Sequence, residues 1–280
     1  MKIKSLTIVG VGLIGGSIGL AAKRRGVAQH IVGAGRRQAS LNRALAQGAI
    51  DEGSLDIAAA IRSAEIAVFC TPVDGIAEQI LAAAPACSPG TLLTDAGSTK
   101  AEIVRRIEGR LAKDIVYVGS HPLAGSEKRG PDHADADLFQ DRLTIVTRTP
   151  ATDPSAVERT AAFWQALGSR VQVMSPEEHD QALAVTSHLP HLLAAALAGI
   201  LPPELRELAA SGFRDTTRVA AGDPILWSGV FAQNRLAVLD ALDRLEVRLS
   251  QFRDALLVQN WSAVGELLAQ AKKVRDALGS

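Results

Sequence analysis

Leu6-Thr7-Ile8-Val9-Gly10-Val11-Gly12-Leu13-Ile14-Gly15-Gly16-Ser17-Ile18-Gly19 reads as a buried strand that turns sharply, on glycines, into a helix. Gly10, Gly12 and Gly15 carry the G-x-G-x-x-G spacing, and Leu13 and Ile14 fill the two places before the third glycine. The motif has physical content only where it follows a strand and opens a helix, as it does here. Gly10 permits the tight turn, Gly12 lets backbone approach a pyrophosphate, and Gly15 lets the helix pack on its strand. Unpaired N–H groups and the dipole at the helix start then favour an anion. The stretch predicts a dinucleotide-binding fold.

Along the chain, β-branched runs at residues 6–9, 31–33, 66–70, 92–94, 115–118, 143–147 and 170–173 alternate with segments of helical character. The latter lie at 15–25, 38–47, 75–84, 98–112 and 155–167. Such alternation predicts an α/β Rossmann domain, a mostly parallel doubly wound sheet covered by helices on both faces. The runs show little polar alternation, as strands buried on both sides should. After Ser175 the strand signal stops. Ser175-Pro176-Glu177-Glu178 is a helix start, with Ser175 as cap. The rest reads as an all-α dimerisation domain, giving expected domains of 1–172 and 173–280. From Pro224 to Leu257 one long helix is expected, with Leu236, Leu239, Leu242, Leu245, Leu249 and Phe252 along one face. That face serves either intrachain core or a homodimer seam.

The chain has 280 residues, with 30 basic and 30 acidic side chains, and 47% of residues are hydrophobic. A balanced charge offers no bulk attraction for nucleic acid or an anionic membrane, and neither is an expected partner. Cys70 and Cys87 form no C-x-x-C pair and read as small buried hydrophobes of a reducing cytoplasm. The N-terminus lacks the pattern of a signal peptide, and the apolar stretch at residues 189–201 is too short to span a bilayer. A cytoplasmic location is expected.

Where the second strand ends, an NAD-binding protein typically has Asp or Glu for the ribose 2′-hydroxyl. Here Gly35-Arg36-Arg37 takes that place, with Ser40 close behind. A guanidinium can hold a 2′-phosphate through paired, charge-assisted hydrogen bonds, whereas a carboxylate would repel it. The expected cofactor is therefore NADP. Thr71 and Pro72 close another strand and join Gly10, Gly12, Leu13, Ile14, Gly15, Gly35, Arg36, Arg37 and Ser40 as candidate cofactor contacts.

Further motifs sit where α/β loops gather, beyond the carboxyl ends of strands. They are Asp95-Ala96-Gly97-Ser98-Thr99-Lys100, His121-Pro122-Leu123-Ala124-Gly125-Ser126-Glu127, Ser187-His188-Leu189-Pro190-His191 and Gly212-Phe213-Arg214-Asp215-Thr216-Thr217-Arg218. In this order, with the glycine fingerprint, they resemble the prephenate and arogenate dehydrogenases of tyrosine biosynthesis over nearly the whole chain. The resemblance implies a Rossmann domain plus a helical dimerisation domain, with the active site in the cleft between them. It implies an oxidative decarboxylation, which with the arginine turn makes the expected enzyme NADP-dependent: hydride leaves a cyclohexadienol carbon for the nicotinamide, the ring carboxylate leaves as carbon dioxide, and the ring becomes aromatic.

By the same resemblance His121 is the catalytic base, taking the proton of the 4-hydroxyl. Ser98 bonds near that hydroxyl and the histidine; read on its own, it also suits the cap of a helix starting at Thr99. His188 and His191, three apart and so on one helix face, belong to the substrate wall. No third ligand accompanies them, and no metal is expected. Arg218 is the expected partner of a substrate carboxylate. Asp223 is a candidate contact for the arogenate ammonium, with an equally good structural role in its Gly-Asp-Pro turn. The C-terminal amino-acid-sensing domain that some relatives carry is not expected at this length, so any tyrosine inhibition is expected at the active site. Two alternatives stand beside this reading. One is a two-domain Rossmann dehydrogenase of β-hydroxyacids or imines, which would place a catalytic Lys or Asp in its helices. The other is a catalytically inactive NADP sensor, which would be free to lose His121, Ser98 or Arg218.

Overall fold

The computed structural model describes residues 1–125 and 130–279. Ser126 and Glu127, the end of the histidine-containing motif, lie outside the described residues. Strands β1 (Ile3–Val9), β2 (Ala28–Ala34), β3 (Glu52–Ser54), β4 (Ile66–Phe69), β5 (Leu92–Asp95) and β6 (Val116–Val118) form a parallel sheet in the order β3-β2-β1-β4-β5-β6. This is the doubly wound order of dinucleotide-binding folds, with the strand order reversing beside β1. The register sets Val9 opposite Ala34 on one side and Phe69 on the other, so the three strands end level.

Side chains alternate between two cores, as the period of a strand requires. Leu6, Ile8, Ile66, Val68 and Leu92 face α1 (Leu13–Arg24), α2 (Gln38–Ala46) and α6 (Pro154–Ala166). Val9, Ala67, Phe69 and Leu93 face α3 (Ile57–Ile61), α4 (Val73–Ala83) and α5 (Ala101–Ile107).

Two strands escape the sequence reading. β3 is a short Glu-Gly-Ser edge with no apolar signature. The other is β7 (Ser120–Pro122), which starts a second, three-stranded sheet with β8 (Leu143–Thr147) and β9 (Arg170–Met174). The chain leaves the first sheet at Gly119, whose carbonyl accepts Thr147 N–H at 2.8 Å. β7 runs antiparallel to β8 with His121 opposite Ile145, so His121 sits on a strand rather than in a loop.

Ser175 and Glu178 form a reciprocal capping box at the start of α7 (Pro176–Leu183). A π-helical turn, Ala184–His188, joins α7 to α8 (Leu189–Gly199). Pro190 cannot donate to a carbonyl one turn back, and the widened turn absorbs that loss. The continuous helix Pro176–Gly199 is thus long and apolar enough to cross a bilayer by length and composition alone. Its inward face nevertheless carries His179, Asp180, His188 and His191, all buried. After α9 (Ser211–Thr217), the long helix expected from Pro224 is two helices, α10 (Pro224–Gln233) and α11 (Arg235–Leu257). They break at Asn234, where φ −107° and ψ 29° leave the helical region. Helix α12 (Trp261–Ala277) follows.

The chain divides into compact units Met1–Asn234 and Arg235–Ser280. Helices α7 to α10 therefore share a unit with the sheet. In the second unit Leu236, Leu239 and Leu249 are 71%, 43% and 53% exposed.

Cys70 and Cys87 are free, and half-buried rather than fully enclosed. Burial raises both thiols, Cys87 to about 11.

Candidate active site

At the glycine turn, β1 passes into α1 with Gly12 as the helix cap and no side chain closing its first N–H groups. A Cβ on Gly15 would stand 2.1 Å from the Gly10 carbonyl oxygen, so only glycine allows this packing. A Cβ on Gly12 would meet nothing within 4 Å, and the turn is open on that side. Leu13 and Ile14 flank the opening, half-buried. Open backbone, orphan N–H donors and a helix N-terminus fit a pyrophosphate.

At the end of β2, Gly35 donates its N–H to Ser54 O at 3.1 Å, and Arg37 caps α2. Arg36 and Arg37 are exposed and pair with no carboxylate among the described residues, while Ser40 is half-buried in the first turn of α2. Thr71 Oγ1 donates to Gln79 Oε1 at 2.7 Å, and Pro72 caps α4.

Beneath the end of β5 lies a buried polar knot. Asp95 pairs with the Lys100 ammonium, accepts Tyr117 OH at 2.8 Å, and takes the N–H of Gly97 at 2.9 Å and of Ser120 at 3.2 Å. Lys100 Nζ also donates to Ser120 O at 2.9 Å. Burial draws the Lys100 pKa down, against the pull of Asp95 and Asp180. Burial and the Asp95 carboxylate push Tyr117 well above its ordinary value.

His121 stands at the margin of this knot, half-buried. Its Nδ1 lies 2.8 Å from His179 Nε2, and His179 Nδ1 lies 2.7 Å from Asp180 Oδ1. Asp180 accepts the backbone N–H of Lys100 at 2.8 Å and of Ala101 at 2.9 Å, holding the start of α5. That contact corrects the expected role of Ser98 as a helix cap. α5 begins at Ala101, two residues later than expected, and a carboxylate from α7 takes its first N–H groups. Ser98 is half-buried and makes no hydrogen bond among the described residues.

Burial, aided by the proximity of His179, Lys100 and His188, holds the His121 pKa well below that of a free imidazole. His179 is also lowered by burial, although Asp180 pulls the other way. Both rings are therefore neutral at neutral pH.

His188 and His191 meet at Trp227 on α10. His191 stacks on the indole with centroids 3.6 Å apart, and His188 meets it edge-on at 6.1 Å. Gly222 makes this packing possible, since a Cβ there would stand 2.5 Å from Trp227 Nε1. Asn234, placed by the helix break, donates Nδ2–H to Asp180 O at 2.7 Å and to His188 Nδ1 at 3.0 Å. His188 Nε2 and His191 Nδ1 are buried with no partner among the described residues. Burial lowers His188 to about 4 and also lowers His191.

Arg218 lies in the 3₁₀ turn Arg218–Ala221, exposed and without an ion pair among the described residues. Asp223 caps α10 through Ile225 N–H at 2.7 Å. The structure thus joins His121 to the helix bearing His188 and His191, through three residues not singled out by sequence: His179, Asp180 and Asn234.

The sheet order and the glycine turn define a Rossmann-type nucleotide-binding protein, with a cluster of hydrogen-bonded imidazoles beyond β5. The chain belongs to the prephenate dehydrogenase family: the profile described as "Prephenate dehydrogenase, nucleotide-binding domain" matches residues 18–173, and "Prephenate dehydrogenase, dimerization domain" matches 175–270. It is 35% identical to the cyclohexadienyl dehydrogenase of Zymomonas mobilis, over 98% of this chain and 96% of that one. The Aquifex aeolicus prephenate dehydrogenase, solved with hydroxyphenyl propionate and NAD+, is 32% identical and superposes with a TM-score of 0.93 over 99% of each chain. The Synechocystis arogenate dehydrogenase is 31% identical, with a TM-score of 0.81 over 98% of this chain and 99% of that one.

Proposed function

We propose that this chain is an NADP-dependent prephenate/arogenate dehydrogenase, converting prephenate to 4-hydroxyphenylpyruvate, arogenate to tyrosine, or both. The observation that carries the reading is the neutral, hydrogen-bonded His121 at the carboxyl end of the sheet. A group that must accept a hydroxyl proton at neutral pH has to be deprotonated beforehand, and burial keeps it so. The bound dinucleotide would supply the oxidising power by accepting hydride from the carbinol carbon. The O–H proton passes to His121 as the ring carbonyl forms. It returns to oxygen once the ring carboxylate has left as carbon dioxide and the ring is aromatic. Ser98, on the segment between β5 and α5, orients the hydroxyl.

His188, His191 and Arg218 make up the substrate wall. His188 accepts from Asn234 at Nδ1, so its Nε2, without a partner among the described residues, carries the proton and donates to a substrate oxygen. Arg218 anchors the side-chain carboxylate as a bidentate pair. Asp223 meets the ammonium when the substrate is arogenate. NADP is preferred because Arg36 and Arg37 are exposed cations, unpaired among the described residues, where an NAD-binding protein has an acidic residue. The 2′-phosphate would lie against them and Ser40, with the pyrophosphate over Gly12 and Thr71 and Pro72 at its edge. We assign the exposed leucines of α11 to a second copy of the chain, forming a homodimer. We place the enzyme in the cytoplasm, in keeping with its free cysteines. Reduction of NADP in the presence of prephenate or arogenate tests the whole reading, and bound NADP without turnover of either compound would restore the inactive-sensor alternative.

A further inference from the structure

We propose that Asp180 and His179 are positioning residues that fix the tautomer of His121, holding its Nδ1–H inward and leaving the Nε2 lone pair for the substrate hydroxyl. The proposal rests on His121 being the proton acceptor.

Asp180 anchors the sequence of bonds because a carboxylate only accepts. Its oxygens already take two backbone N–H groups, from Lys100 and Ala101. The His179 Nδ1 facing Oδ1 at 2.7 Å must therefore carry a proton. In a neutral ring, the other nitrogen of His179 is then bare. His121 Nδ1 lies 2.8 Å from that bare nitrogen and must donate to it. Only Nε2 of His121 is left to accept. Without this sequence a neutral imidazole distributes between two tautomers, one of which offers an N–H where a base is needed.

When the substrate O–H bond breaks and an N–H bond forms at Nε2, His121 becomes an imidazolium. Its Nδ1–H remains bonded to His179, and the Asp180 charge lies one ring away. Around it, His179, Lys100 and His188 oppose the positive charge, and Lys100 is itself paired with Asp95. His179 and Asp180 are both buried, so water does not compete for these bonds.

The test combines nitrogen NMR of 15N-histidine-labelled protein with kinetics. In the unmodified protein, His121 should show a protonated Nδ1 and a bare Nε2. His179→Leu should release the tautomer and lower kcat about a hundredfold, with little change in NADP affinity. His179→Gln restores an acceptor for Nδ1–H through its amide oxygen and should recover about tenfold of that loss. The acid limb of kcat should move in His179→Leu and return towards normal in His179→Gln. Asp180→Asn can turn an amide N–H towards His179 and invert both rings. It also disturbs the start of α5, so the His179 variants, which leave that contact intact, decide the matter. A proton on Nε2 in the unmodified protein would overturn the proposal, as would a His179→Leu enzyme within about threefold of normal kcat. If instead His121→Asn stays active while the NMR tautomer is as expected, the base assignment fails and the hydrogen-bond sequence stands.

Discussion

Acidification should weaken this protein through His188, by an amount that one substitution isolates. The ring is 1% exposed, accepts a hydrogen bond from Asn234, and has its pKa lowered from 6.5 to about 4 by burial. Between those two values the unfolded chain binds a proton that the folded chain refuses, so stability falls as pH falls. At 1.36 kcal/mol per pKa unit, the loss assignable to His188 is about 2 kcal/mol at roughly pH 5, relative to neutrality. His188→Gln keeps an oxygen to accept from Asn234 but does not titrate. Urea unfolding, followed by tryptophan fluorescence at about pH 7.5 and about pH 5, gives the two differences to compare. The unmodified protein should lose about 2 kcal/mol more than the variant. His121, His179 and His191 are lowered too and contribute to both proteins, so the comparison cancels most of their share. Equal losses in the two proteins would refute the reasoning, because they would mean that His188 is protonated without penalty in the folded state.

His121→Asn should lower kcat by roughly two to four orders of magnitude at unchanged NADP affinity. In the unmodified enzyme the acid limb should lie below the range of a free histidine, since only the neutral ring works and its pKa is depressed. A limb centred at an ordinary histidine value would show that the burial effect is absent. Gly35→Asp combined with Arg36→Ser should move kcat/KM from NADP towards NAD; an unmodified enzyme that already prefers NAD would end the arginine argument. Arg218→Ala should raise KM strongly and kcat less, because losing the partner of a substrate carboxylate costs about 2–5 kcal/mol. An unchanged KM would move the anchor elsewhere, with Arg214 next to be tried. Light scattering should return the mass of a dimer at micromolar concentration, and a monomer would leave the exposed Leu236, Leu239 and Leu249 without their partner.

The first half of the fold is legible because buried parallel strands announce themselves as apolar runs, and because the glycine turn has one structural context. β3 and β7 are not legible, being three residues each; one is polar and the other includes a proline. The break at Asn234 hides inside a leucine-rich helical pattern that continues smoothly across it. In the site, His121, His188 and His191 can be picked out from their motifs. His179 and Asp180 cannot, since Pro176-Glu177-Glu178-His179-Asp180 reads as a solvated first turn. Their partners lie 58 residues away at His121 and 80 away at Lys100, separations over which local pattern carries no information.

The helix Pro176–Gly199 holds the partner of the proposed base near its start and the proposed substrate wall further along. His179 and His191 stand about 18 Å apart on a single rod, by the usual rise per residue. Both sets of contacts hang on one continuous backbone, interrupted only by the π turn, so a change that tilts the whole helix displaces the support of the proposed proton acceptor and the ring's contacts together. Substitutions at His179, Asp180, His188 and His191 should therefore be non-additive in double-mutant cycles, even where the side chains do not touch. Redesign of substrate preference has an independent handle only off the rod, on the segment that carries Arg218 and Asp223.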